Sequence, residues 1–141
     1  MTRFVRNAHR FLVASLLALS ALASSAQAQD APELSVSEVQ LATALENGVA
    51  VSPATSFSRA DGRIFAVVRL ENPSSAATSI RVALEPVDGA SRAGVSLDVP
   101  ARRRYRTVAR FSAGQRPGRY RCVVRTEDGR ELASVELTVT E

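Results

Sequence analysis

The sequence predicts an all-β domain, a seven-stranded antiparallel β-sandwich. Three observations carry this prediction. Seven short stretches alternate apolar and polar residues with a period of two. Turn signals separate them: Asn47-Gly48, Asn72-Pro73, Asp88-Gly89, Pro117-Gly118 and Asp128-Gly129. Beyond residue 28, no stretch keeps a helical period.

The opening residues stand apart from this pattern. Arg3, Arg6 and Arg10 form a positive segment, Phe11 to Leu22 is apolar, and Ala26-Gln27-Ala28 offers small residues at a cleavage site. Residues 1–28 therefore read as a secretory signal peptide, and the mature chain as periplasmic or extracellular. The apolar run is shorter than the ~20 residues a membrane-spanning helix needs. Residues 29–37 hold Pro32 and little pattern, and read as a short flexible leader. The sandwich domain is expected over 38–141.

The strands follow in order. Val39, Leu41, Thr43 and Leu45 alternate in a first strand that Asn47-Gly48 breaks. Pro53 to Gly62 is a polar loop whose one large apolar residue, Phe57, is expected to plug an edge of the sandwich. Arg63 to Glu71 is the second strand. Ile64, Ala66, Val68 and Leu70 share one face, but Phe65 and Val67 make the other partly apolar too, which predicts a central position. Asn72-Pro73-Ser74-Ser75 is a turn, with proline fixing φ. Thr78 to Glu85 is the third strand, with Ile80, Val82 and Leu84 inward. Val95, Leu97 and Val99 mark a fourth, stopped by Pro100. The fifth runs from Arg104, with Tyr105, Thr107, Ala109 and Phe111 on its inner face. The sixth runs from Arg119 to Thr126, with Tyr120, Cys122 and Val124 inward.

The last hairpin is specified twice. Asp128-Gly129 is a two-residue turn signal that sets Glu127 against Arg130. Counting back, Val124 meets Ala133, Cys122 meets Val135 and Tyr120 meets Leu137, all residues suited to a core. On the outer face Arg121 meets Glu136, a favourable charge pair. A shift by one residue would set core residues against charged ones.

Tyr120 stands two residues before the inward Cys122, just after Pro117-Gly118. That arrangement is like the tyrosine corner of immunoglobulin-like sandwiches, so the expected architecture is immunoglobulin-like. In that order the fifth and sixth strands belong to opposite sheets. Residues 39–139 also resemble a bacterial envelope family, domain of unknown function 2914. The resemblance rests on Leu45-Glu46-Asn47-Gly48 followed by Pro53, on Val95-Ser96-Leu97-Asp98-Val99 leading into Tyr105-Arg106-Thr107, and on Pro117-Gly118-Arg119-Tyr120 with Glu127-Asp128-Gly129. The family often carries a His-x-aromatic patch on its third strand, where this chain has Ser79-Ile80-Arg81-Val82. The resemblance implies a small sandwich domain and supplies no activity.

Composition narrows the chemistry. The only histidine, His9, leaves with the signal, and the chain has no lysine or tryptophan. Ser-His-Asp and Cys-His catalysis are therefore excluded within one mature chain, as are zinc or copper sites built from His and Cys. Cys122 is the lone cysteine and alternates with core residues, so it reads as a small buried apolar group. Asp61, Glu71, Glu85, Asp98 and Glu136 fall on expected outer faces and loop edges, with no sign of convergence on a cleft. Asp88-Gly89 and Asp128-Gly129 lack the alternating acids of a calcium loop. No enzyme activity and no cofactor are expected.

Charge is polarised rather than high. Cleavage lowers the net charge from +4 to +1. Residues 29–101 hold five arginines against nine acids, and residues 102–141 hold ten against five. Six of those ten form two rows: Arg104, Arg106 and Arg110 on the fifth strand, Arg119, Arg121 and Arg125 on the sixth. Two expectations follow. The first is an exported, non-catalytic interaction or structural module with solvated arginine faces that keep sheet edges from aggregating. The second is an anion-binding module in which these six guanidinium groups grip an envelope polysaccharide, a lipid headgroup or an acidic protein. Nucleic acid is not expected as a partner, because no exposed aromatics interleave the arginines.

Overall fold

Almost all of the regular structure is β. The computed structural model describes residues 33–141, so the expected signal peptide and the start of the leader lie outside the described residues. In those residues the strands are β1 (Ser35–Ala42), β2 (Ala44–Glu46), β3 (Val49–Val51), β4 (Ser56–Ser58), β5 (Arg63–Glu71), β6 (Thr78–Pro86), β7 (Val95–Val99), β8 (Arg104–Ser112), β9 (Gly118–Thr126) and β10 (Glu131–Thr140). One 3-10 turn, Arg59–Asp61, sits between β4 and β5.

The strands form a three-stranded sheet, β1-β5-β8, a five-stranded sheet, β4-β10-β9-β6-β7, and a small hairpin, β2-β3. The two larger sheets share one core. The first supplies Leu41, Ile64, Ala66, Val68, Leu70 and Ala109; the second supplies Ile80, Val82, Leu84, Tyr120, Cys122, Val124, Leu137 and Val139. These are the inward positions that the period of two marks out. β5 is central, as its two apolar faces require, with β1 and β8 on either side. Phe57, on β4, is buried beside β10, which it joins in a parallel pair.

The N-terminal region departs from expectation. β1 begins at Ser35, so the end of the expected leader is paired with β5. The first strand does not run on to Leu45 but bends at Thr43. Asn47-Gly48 then closes a further hairpin, with φ of 50° and 73° at the two turn residues. Both lie in the left-handed region that a tight hairpin turn demands. Leu45, Gly48 and Ala50 of this hairpin are half-buried, whereas Val49 and Val51 are exposed. Three-residue strands cannot show an alternation long enough to read, and for this reason the strand count is ten rather than seven.

The β9–β10 hairpin keeps its expected register by a different route. Ala133, Val135 and Leu137 pair with Val124, Cys122 and Tyr120. The loop, however, holds three residues: Thr126 N donates to Arg130 O at 2.8 Å, and Gly129 takes φ +96°. A bulge between Glu131 and Ala133 then restores the pairing by one residue. The core pattern, not the turn, decides the register.

Candidate functional site

The two arginine rows lie on opposite sheets. β8 is an edge strand of the three-stranded sheet, while β9 lies between β10 and β6 in the five-stranded one. Arg104, Arg106 and Arg110 share no surface with Arg119, Arg121 and Arg125.

The β9 row is neutralised. Its neighbours supply an acid for each guanidinium. Arg119 pairs with Glu136 at 2.9 Å and Arg121 with Glu131 at 2.9 Å. Arg121 stands opposite Glu136 in register but reaches diagonally to Glu131. Arg125 grips Glu85 with both Nη1, at 2.6 Å, and Nη2, at 3.1 Å. Glu85 was expected on an outer face, and it is on one, but it is only 6% exposed. The 87–94 loop folds back over it, so that Ser91 Oγ and Arg92 N also donate to its Oε1, at 2.9 and 3.0 Å. The Arg125 hydrogen bond, helped by those from Arg92 and Ser91, lowers the Glu85 pKa from 4.5 to about 2. Ala83 and Val123, also outward, are buried on this face. This region is a second small core built around one ion pair.

The β8 row is different. Among the described residues, none of Arg104, Arg106 and Arg110 has an acid within ion-pair distance. Arg106 Nη2 donates to Asn47 O at 3.3 Å, which holds the tip of the β2–β3 hairpin over the outer face of the sheet. Under this hairpin Val67, outward on β5, is 2% exposed. Arg110 lies over the Phe65 ring, 5.8 Å from its centroid, as their register requires. β5 adds Arg69 directly opposite Arg106 and Glu71 opposite Arg104. Arg69 is satisfied by Glu38 of β1 at 3.4 Å.

Two open grooves meet at the start of β8. One, about 410 Å³, is lined by Arg69, Glu71, Arg104 and Arg106 among others. The other, about 420 Å³, is lined by Glu71, Pro73, Arg103 and Arg104. Glu71 and Arg104 are common to both. Arg69 and Arg103 are thus part of the basic surface, though neither was among the expected site residues. The parity of Arg69 on the second strand was the signal for it; Arg103 lies between strands, where alternation is silent.

Other groups offer little chemistry. Burial pushes the Cys122 thiol up to about 12, so no thiolate forms near neutral pH. Among the described residues no three His, Cys, Asp or Glu side chains gather as a metal site would require. Asn72, 1% exposed, is spent on its turn: Nδ2 donates to Ala76 O at 2.8 Å and Oδ1 accepts from Ser74 Oγ at 3.0 Å. Among the described residues no helix is long and apolar enough to cross a membrane.

No family model matches the chain, and no curated protein matches it. Among solved structures it is similar to the crystal structure of a β-glucosidase from Listeria innocua in complex with glucose. The TM-score is 0.51 and the identity 17%, and the match covers 77% of this chain but 16% of that one. This likeness is one of fold, over a small part of that enzyme.

Proposed function

We propose that the chain is an exported, non-catalytic interaction module of immunoglobulin-like architecture whose partner is anionic and meets the β8 face. The single observation behind this reading is the contrast between the two arginine rows. All three β9 guanidinium groups are matched by Glu85, Glu131 and Glu136. Those of β8 stand exposed beside two grooves and, among the described residues, form no ion pair; the one carboxylate lining the grooves is Glu71, opposite Arg104. A solvated face needs no such asymmetry, and the β9 row illustrates how readily this fold pairs its arginines when they serve structure.

The architectural part of the proposal is supported by strand order. The β8 and β9 strands lie on opposite sheets, and Tyr120 Oη donates to Arg116 O at 2.6 Å, the bond expected of a tyrosine corner. The fourth long strand, β7, pairs with β6 rather than joining β8. Kinship with domain of unknown function 2914 remains a proposal resting on motifs, of which Asn47-Gly48, Tyr120 and Gly129 each serve a turn or corner. Export rests on the signal-like residues 1–28. The non-catalytic part rests on the lack of His and Lys beyond residue 28.

Heparin is a suitable probe, since its closely spaced charges suit a row of arginines with spacings of ~7 Å (Arg104 to Arg106) and ~13 Å (Arg106 to Arg110) along a strand. The protein should be retained on heparin and released by salt that screens exposed charges. The triple variant Arg104→Gln, Arg106→Gln, Arg110→Gln should elute early and lose less than ~1 kcal/mol of stability. Elution of the unmodified protein with a neutral control would end the proposal.

A further inference from the structure

We infer that β8 accepts an extended acidic segment of a partner protein as a ninth strand across the two main sheets, added to the free edge of the three-stranded sheet. This inference rests on the anionic-partner reading and names the partner's class. β8 is nine residues long and, among the described residues, pairs only with β5. The other free edge of that sheet, β1, is interrupted by a bulge between Val36 and Glu38, which discourages strand pairing. β8 runs without a bulge from Arg104 to Ser112.

The hydrogen-bond parity of β8 is fixed by bonds at its two ends. Asn72 N donates to Arg103 O at 2.7 Å, and Ala113 N donates to Gly62 O at 3.0 Å. Both pairs continue the β5–β8 register, and both involve odd-numbered residues of the β8 segment. In an antiparallel ladder, residues of hydrogen-bonded pairs alternate with residues whose N–H and C=O point the other way. The odd residues from 103 to 113 therefore bond to β5. The even residues, Arg104, Arg106, Val108, Arg110 and Ser112, present their backbone groups to the free edge. Three of these five, Arg104, Arg106 and Arg110, carry guanidinium groups on the outer face that form no ion pair among the described residues.

An added strand would therefore hydrogen-bond to Arg104, Arg106 and Arg110, with Val108 and Ser112 between and after them. Its own residues opposite Arg104, Arg106 and Arg110 would project on the same face, where carboxylates fit. Its alternate residues would lie beside Tyr105, Thr107 and Phe111, which are only half-buried. Beside Tyr105 a trough of about 490 Å³ opens between β8 and the β6–β7 edge. Apolar side chains suit that position. The segment is thus one of alternating acidic and apolar residues, bound by strand addition. A second copy is the wrong occupant, because antiparallel β8–β8 pairing would set arginine rows side by side.

The test uses a synthetic peptide of alternating Val and Glu, as long as β8, and the same peptide N-methylated on the edge facing β8. Backbone methylation keeps every charge and removes the ladder bonds. Titration calorimetry should give binding to the first peptide and at least roughly tenfold weaker binding to the second, as main-chain bonds supply affinity in this mode. Amide exchange should slow at Arg104, Arg106, Val108 and Arg110 when the first peptide binds. Equal binding of both peptides, or no slowing at those amides, would overturn strand addition. So would retention on heparin without binding of either peptide, which leaves the anionic-partner reading intact. Failure to bind heparin and both peptides would overturn both.

Discussion

Tyr120 is held twice, by its ring in the core and by its hydroxyl on the β8–β9 connection. The ring is part of the core, and Oη donates to Arg116 O at 2.6 Å. Tyr120→Ala should cost ~3–5 kcal/mol, and Tyr120→Phe, which deletes only the hydrogen bond, ~1 kcal/mol. Denaturant melts of the two variants separate the contributions; a neutral Tyr120→Phe would mean that the corner bond adds nothing. Glu85 provides the second residue-scale prediction. Its pKa is depressed in the folded state from 4.5 to about 2, chiefly by the Arg125 hydrogen bond. Its stabilising effect is complete above the unfolded value and is lost as pH falls from about 5 toward about 2, amounting to ~3 kcal/mol. Stability measured across that window should fall more steeply for the native protein than for Glu85→Gln. Parallel curves would show that the ion pair does not stabilise the fold.

At the scale of elements, two loops do unlike work. The 87–94 loop caps the outer face of β6, and Gly94 passes so close that a Cβ there would lie 2.4 Å from Val82 O. Gly129 turns the last hairpin into open space, with no atom within 4 Å of an added Cβ. Both have positive φ, so alanine at either costs ~1–2 kcal/mol in backbone strain. Gly94→Ala should cost clearly more, because the clash is with backbone, and should expose Glu85; equal losses in thermal melts would mean that the loop is not packed as described. These elements also mark how far the sequence could be read. Long alternating strands were legible: the bounds of β5 and β7 coincide with the expected ones, and the pairing of Val124 with Ala133 followed from pattern alone. The β2–β3 hairpin was not, since three-residue strands carry no period. Nor was the burial of Glu85, because a loop folding back over a sheet leaves no trace in strand alternation. For the candidate site, the six arginines were legible as rows, but their pairing was not. It depends on which strands lie beside β8 and β9, and topology alone decides that.

Across the whole molecule, the proposed function assigns the β9 row to structure and the β8 row to recognition. Of the β9 pairs, Arg119–Glu136 and Arg121–Glu131 are exposed and contribute little, ~0–1 kcal/mol each. Removing Arg125 leaves Glu85 buried without its partner, a loss of ~3–5 kcal/mol. On β8, Arg104, Arg106 and Arg110 are exposed, so their replacement should change stability by less than ~1 kcal/mol. The most direct measurement is therefore a pair of triple variants, each assayed for heparin affinity and for unfolding free energy. Arg104→Gln, Arg106→Gln, Arg110→Gln should lose binding and keep stability, while Arg119→Gln, Arg121→Gln, Arg125→Gln should lose stability and, when still folded, keep binding. Loss of binding in the β9 variant with full binding in the β8 variant would contradict the account.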